Sequence, residues 1–217
     1  MAQIFSRRCT LLLRVAAAGT CIVVVAAIVA YRVTARADAA RDEPIAQPIP
    51  FSHQHHVRDD GIDCRYCHTS VETSAVAGIP PLATCMTCHS QLFVDAPVLA
   101  RLHDAYRGDA TLAWNRVHDL PDFVFFDHSI HVAKGVGCTT CHGPVDRMPL
   151  VRRVRSLDMQ WCLACHRAPE RALRPRDEVF SVDWRPPSDQ AARGARLREA
   201  YGLRSTRELT DCSTCHR

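Results

Sequence analysis

Phe126-Asp127-His128-Ser129-Ile130-His131-Val132-Ala133-Lys134-Gly135-Val136-Gly137-Cys138-Thr139-Thr140-Cys141-His142 is the stretch of this 217-residue chain on which the fold turns. It ends in C-x-x-C-H, and the same ending recurs at Cys64-Cys67-His68, Cys85-Cys88-His89, Cys162-Cys165-His166 and Cys212-Cys215-His216. Two thiols three residues apart on one helical turn can add across the two vinyl groups of one porphyrin, and the adjacent imidazole then reaches the iron. One copy is a modest signal, because C-x-x-C also serves zinc sites and thiol redox centres. Five copies take up ten of the twelve cysteines and leave none unpaired after the N-terminal apolar segment. Structural zinc knuckles do not require a His after every pair, and a disulfide framework predicts neither the spacing nor the His. The expectation is five covalently attached c-type haems.

The two remaining cysteines, Cys9 and Cys21, lie before or within the apolar segment and read as membrane-tolerated side chains; Ala18-Gly19-Thr20-Cys21 is a poor lipidation box. The formal charge of +4 counts no cofactor. Each ferric haem with ionised propionates adds about one negative charge, which leaves the loaded protein near neutral or acidic and excludes nucleic-acid binding. Lys134 is the one lysine among 27 basic residues. Arginine suits propionates through its two-point fork, although a coding bias explains the same count.

Residues 11–31 are apolar except for Arg14, and as a helix they reach about 30 Å, one hydrocarbon core. The segment reads as an uncleaved single-pass anchor following a cytoplasmic stretch 1–10, because it is longer than a usual signal core; Ala35-Arg36-Ala37 keeps the alternative of a cleaved leader. Haem attachment takes place on the exported side, so the rest of the chain belongs outside the cytoplasm. Residues 32–50, with Pro44, Pro48 and Pro50, read as a tether. The haem domain then covers residues 51–217.

That domain contains a repeat. Phe51-Ser52-His53-Gln54-His55-His56 matches Phe126-Asp127-His128-Ser129-Ile130-His131, with His53 eleven residues before Cys64 and His128 ten before Cys138. Two dihaem modules, about 51–125 and 126–185, are expected to precede a terminal haem segment at 186–217. The spacing predicts a helix over 95–106, a second over 188–201 capped by Ser188, and a strand over 117–126. The fold class expected is a multihaem cytochrome c, mostly irregular with short helices around stacked haems and one transmembrane helix, since at about one haem per 33 residues porphyrin supplies most of the apolar core.

A sixth protein ligand on each iron favours electron carriage over catalysis. In F-x-H-x-x-H the two imidazoles share a helical face yet point at different irons, so His53, His56, His128 and His131 are the distal candidates. The arrangement resembles the cytochrome c3 and c7 family, and the resemblance implies that His53 serves the haem at Cys64, His128 the haem at Cys138, and that His56 and His131 reach other haems. For the fifth position His118, Met148 and Met159 remain open; a Met ligand would raise that haem's potential, whereas both Met could fill core beside Trp161. His103 is expected on a helix surface, and His55 points away from its neighbours' face.

The order of these features, with Gly78-Ile79-Pro80, Phe126 through Cys138 and Met159-Gln160-Trp161-Cys162, resembles the pentahaem cytochrome subunit of alternative complex III over essentially the whole chain. The resemblance implies an electron-transfer subunit of a membrane quinol oxidoreductase. Iron–sulfur and polytopic subunits would handle the quinol there, and a monohaem cytochrome c or a terminal oxidase would accept the electrons. Two rivals stand beside it: a stand-alone anchored quinol dehydrogenase, like the small tetrahaem proteins that lack the double-His module, and a multihaem reductase with one open iron. No catalytic residue is assigned.

Overall fold

The computed structural model describes residues 6–41, 43–108 and 110–216, with the side chains of 35–41 left aside. Contacts divide the chain after Glu43 into two units. The first is α1 (Arg7–Arg41), 35 residues of helix. Its stretch Arg7–Thr34 is long and apolar enough to cross a membrane, and none of its most apolar window is buried by protein. Val, Ile, Leu and Ala on every side of a helix leave no polar face to meet water, a pattern that also fits a signal sequence.

The second unit, Pro44–Arg217, is built of short helices. They are α2 (Cys64–Cys67), α3 (Leu82–His89), α4 (Ala100–Arg107), α5 (His128–Ala133), α6 (Cys138–His142), α7 (Met159–Arg167), α8 (Gln190–Ala200), α9 (Thr206–Leu209) and α10 (Cys212–Cys215). A π-helical turn, Gln54–Asp59, precedes α2, and single 3₁₀ turns cover Pro97–Leu99, Val145–Arg147, Pro169–Arg171 and Arg176–Glu178. Every C-x-x-C-H motif forms its own helical turn, and three are started by an aspartate. Asp63 accepts from the Arg65 amide, Asp158 from the Trp161 amide and Asp211 from the Ser213 amide, which satisfies amides that so short a helix cannot bond internally.

Three expectations need adjustment. The helix over 95–106 divides into the 3₁₀ turn at Pro97 and α4, closed by Gly108, because Pro97 has no amide hydrogen to give a longer helix. The second predicted helix is α8, with Asp189 rather than Ser188 at its cap position and no side-chain capping bond. Residues 117–126 form no strand. Among the described residues pairing is limited to the isolated bridges Val124 with His216 and Val136 with Leu173, and a lone extended segment without a neighbour cannot complete a ladder.

The Pro-rich segment runs extended and is fastened to the domain. The Gln47 side chain exchanges bonds of 2.8 and 2.9 Å with the Asn115 backbone, Asn115 Nδ2 donates to the Ala46 carbonyl, and Ile49 is buried. The apolar core is sparse: among the described residues Ile49, Val71, Leu102, Met148, Leu173 and Val179 are its buried members. A protein core of this size ordinarily needs many more. What packs tightly is local, as where α8 lies on the Pro169–Arg171 turn at Gly194.

Candidate haem-binding site

Four of the five C-x-x-C-H imidazoles are held by backbone carbonyls from outside their own turns. His68 Nδ1 lies 2.7 Å from the Gly78 carbonyl oxygen, His166 Nδ1 2.8 Å from that of Leu209, and the Nδ1 atoms of His89 and His216 are each 3.3 Å from the carbonyls of Leu92 and Phe123. A carbonyl can only accept, so Nδ1 carries the proton and Nε2 keeps its lone pair for a metal. Three of the four F-x-H-x-x-H histidines are held in the same way, whereas His53 Nδ1 is buried without a partner. His56 Nδ1 donates to the Ser52 carbonyl at 2.8 Å, His131 Nδ1 to that of Asp127 at 2.7 Å and His128 Nδ1 to that of Ala75 at 2.8 Å.

The phenylalanine of each motif orients both of its imidazoles. Phe51 stacks on His56 at 4.5 Å and meets His53 edge-on at 4.9 Å. Phe126 repeats this on His131 at 4.5 Å and His128 at 4.8 Å. The duplicated spelling is therefore a duplicated geometry, despite the extra residue in the first copy. That residue is absorbed by the π-helical turn, where the Asp60 amide donates to His55 five residues back.

Four of the five C-x-x-C-H imidazoles face an F-x-H-x-x-H imidazole. Ring centres are 6.5 Å apart for His53 and His68 with planes 5° from parallel, 6.1 Å for His56 and His89, 6.3 Å for His128 and His142, and 6.2 Å for His131 and His166. An iron bound axially by two imidazoles, each nitrogen about 2 Å away, separates the ring centres by about 6 Å. These pairs have the spacing that a six-coordinate haem requires.

Residues 124–217 match the family model "Cytochrome c7 and related cytochrome c". The menaquinone reductase multiheme cytochrome c subunit of Nitratidesulfovibrio vulgaris (strain Hildenborough) is 39% identical over 97 residues, 44% of this chain. The chain covers 45% of that relative's length. The fold is that of a multihaem cytochrome c. Electron transfer through c-type haems is the chemistry that goes with it.

An imidazole can bind iron only in its neutral form, and burial keeps several of these rings neutral. Desolvation, with help from neighbouring histidines, lowers the pKa of His53 to about 4 and that of His142 to about 3, and burial also lowers His131. Beside α6 the buried Arg174 sits among exposed arginines. Arg174 stacks on Trp184 at 4.3 Å, bonds Thr139 Oγ1 at 3.0 Å and lines one cavity with Arg147, Arg155 and Arg185. Its Nε is buried without a partner, and such a fork suits a haem propionate.

The three candidates for the fifth distal position sit in different surroundings. His118 packs edge-on against His142 with ring centres 4.3 Å apart, too close for an iron between them, and its pKa is lowered to about 4 by burial and then by Arg153. Met148 is fully buried, and its carbonyl accepts from the Gln54 amide. Met159 is exposed at the start of α7. The ring beside His216 is that of Phe123, at 5.8 Å. His103 is buried rather than on the helix surface, with Nε2 unpartnered, because the inward face of α4 carries Leu102 and His103 together. His55 is exposed as expected and pairs with Asp60 at 3.5 Å. Sequence reasoning passed over the carbonyls of Ala75, Gly78, Leu92 and Leu209; backbone acceptors leave no mark in residue type.

Proposed function

We propose that the chain is a single-pass membrane subunit carrying five c-type haems and relaying electrons from a quinol-oxidising complex to a periplasmic cytochrome or a terminal oxidase, as in alternative complex III. The observation that carries the reading is the set of four facing imidazole pairs, each joining one C-x-x-C-H histidine to one F-x-H-x-x-H histidine at 6.1–6.5 Å.

The attachment thiols are Cys64, Cys67, Cys85, Cys88, Cys138, Cys141, Cys162, Cys165, Cys212 and Cys215. Proximal ligands are His68, His89, His142, His166 and His216, and distal ligands His53, His56, His128 and His131. When bound, the irons supply reversible one-electron chemistry. The protein's part is to bring the imidazoles of each pair face to face, most of them with Nδ1 tied to a carbonyl, and to close the sixth position against small ligands. Such a chain has no iron–sulfur cysteines left over, and one helix cannot enclose a quinone, so partner subunits oxidise the quinol.

A second reading, a reductase with one open iron, is favoured by one observation: His216 has a phenylalanine beside it where the other proximal histidines have an imidazole. Intact mass and the reduced haem spectrum of the purified protein test the first reading. Five covalent haems and no carbon monoxide adduct support it. Fewer haems contradict the count, and a carbon monoxide adduct at one haem favours the reductase.

A further inference from the structure

We propose that the five attachment sites are ordered in space as Cys85/Cys88, Cys64/Cys67, Cys138/Cys141, Cys162/Cys165 and Cys212/Cys215, so that the second site in sequence, not the first, is one terminus of the relay and the last site is the other. The proposal rests on the five-haem reading above and adds to it which two haems meet external donor and acceptor.

Each join has its own contact. Tyr66 and Thr87 hold the same place within their motifs, and their hydroxyls are 2.8 Å apart, so the first two attachment turns touch. His53 and His56, one turn apart, face the proximal imidazoles of these same two sites.

The first site, not the second, then meets the third. The distal-ligand turn of the first module is fastened to the loop that follows the third site: Arg58 Nε donates to Asp146 at 2.7 Å, and the Gln54 amide to the Met148 carbonyl at 3.2 Å. In return His128, which faces the third site, is held by Ala75 in the loop after the first. The helix of the second site, α3, packs on α4.

The third and fourth sites share α5, whose His128 and His131 face His142 and His166. The fourth meets the fifth where His166 Nδ1 donates to the Leu209 carbonyl, three residues before Cys212, and where α7 packs on α9.

Exposure agrees with the ends. Of the ten attachment cysteines, Cys88 and Cys212 are the exposed ones. Beside them Phe93, four residues past His89, is 64% exposed, and Phe123, whose carbonyl holds His216, is 62% exposed. Transfer along this order moves single electrons and needs only a donor at one end and an acceptor at the other.

The test is a redox titration of the intact holoprotein followed by NMR, with haem methyl signals assigned through their contacts to protein protons. Reducing one haem shifts the midpoint of another more strongly the closer it lies. Reduction of the haem at Cys138 is expected to shift the haem at Cys64 more than the haem at Cys85. A larger shift at Cys85 overturns the order while leaving five haems intact. Fewer than five sets of haem signals overturns the five-haem reading itself, and the order with it.

Discussion

At the scale of residues, the histidines do different work from what surrounds them. His128 is held on three sides, by the Ala75 carbonyl at 2.8 Å, by the Phe126 ring and across from His142. Replacing it with Ala leaves all attachment thiols in place and removes one axial ligand. The variant should retain every covalent haem, lose the low-spin signal of one haem, and bind carbon monoxide at that iron. Loss of a covalent haem, read by intact mass, would contradict the distal assignment. Gly194 is a steric case. A Cβ there runs into the Glu170 carbonyl, which is backbone and cannot swing aside, so Gly194→Ala should destabilise the domain by about 1–3 kcal/mol. A shift in the denaturant midpoint at unchanged slope measures it.

Among the elements, the two F-x-H-x-x-H turns do the same task with different helices. The ten- and eleven-residue offsets to the next cysteine were visible in the sequence, and so was the duplication. The π-helical turn that reconciles them was not, since it depends on the bonds the backbone makes beyond Asp59. Residues 117–126 show the opposite failure. Their β-branched and aromatic content looked like a strand, but Val124 bridges His216, Phe125 donates to the Cys215 carbonyl and Phe126 stacks on His131. These residues serve as ring supports, and among the described residues no neighbouring strand makes them a sheet. Because Asp146 is buried against Arg58 of the first distal turn, Asp146→Ala should loosen that turn. The expected outcome is partial loss of six-coordination at the haems served by His53 and His56, with those served by His128 and His131 unchanged, as absorption and EPR spectra would record.

For the whole molecule, the sparseness of the apolar core is the main physical fact. Six buried hydrophobic residues among those described cannot hold a domain of this size by themselves. Expression without the haem-attachment machinery should therefore yield a chain that unfolds without a sharp transition and exchanges its amide hydrogens rapidly, while the loaded protein unfolds cooperatively. The attachment motifs and the four candidate distal histidines were legible because each is a local pattern tied to a known kind of bond. The facing of those ligands, the joining of the modules through Ala75, Asp146 and Met148, and the burial of His103 were not, because they depend on contacts between distant parts of the chain. Near-infrared magnetic circular dichroism of the oxidised holoprotein tests the central claim most directly, since it separates imidazole/imidazole from imidazole/thioether ligation. The account predicts bis-imidazole bands equivalent to at least four haems per chain; bands for fewer than four, with the balance high-spin or thioether-ligated, would contradict it.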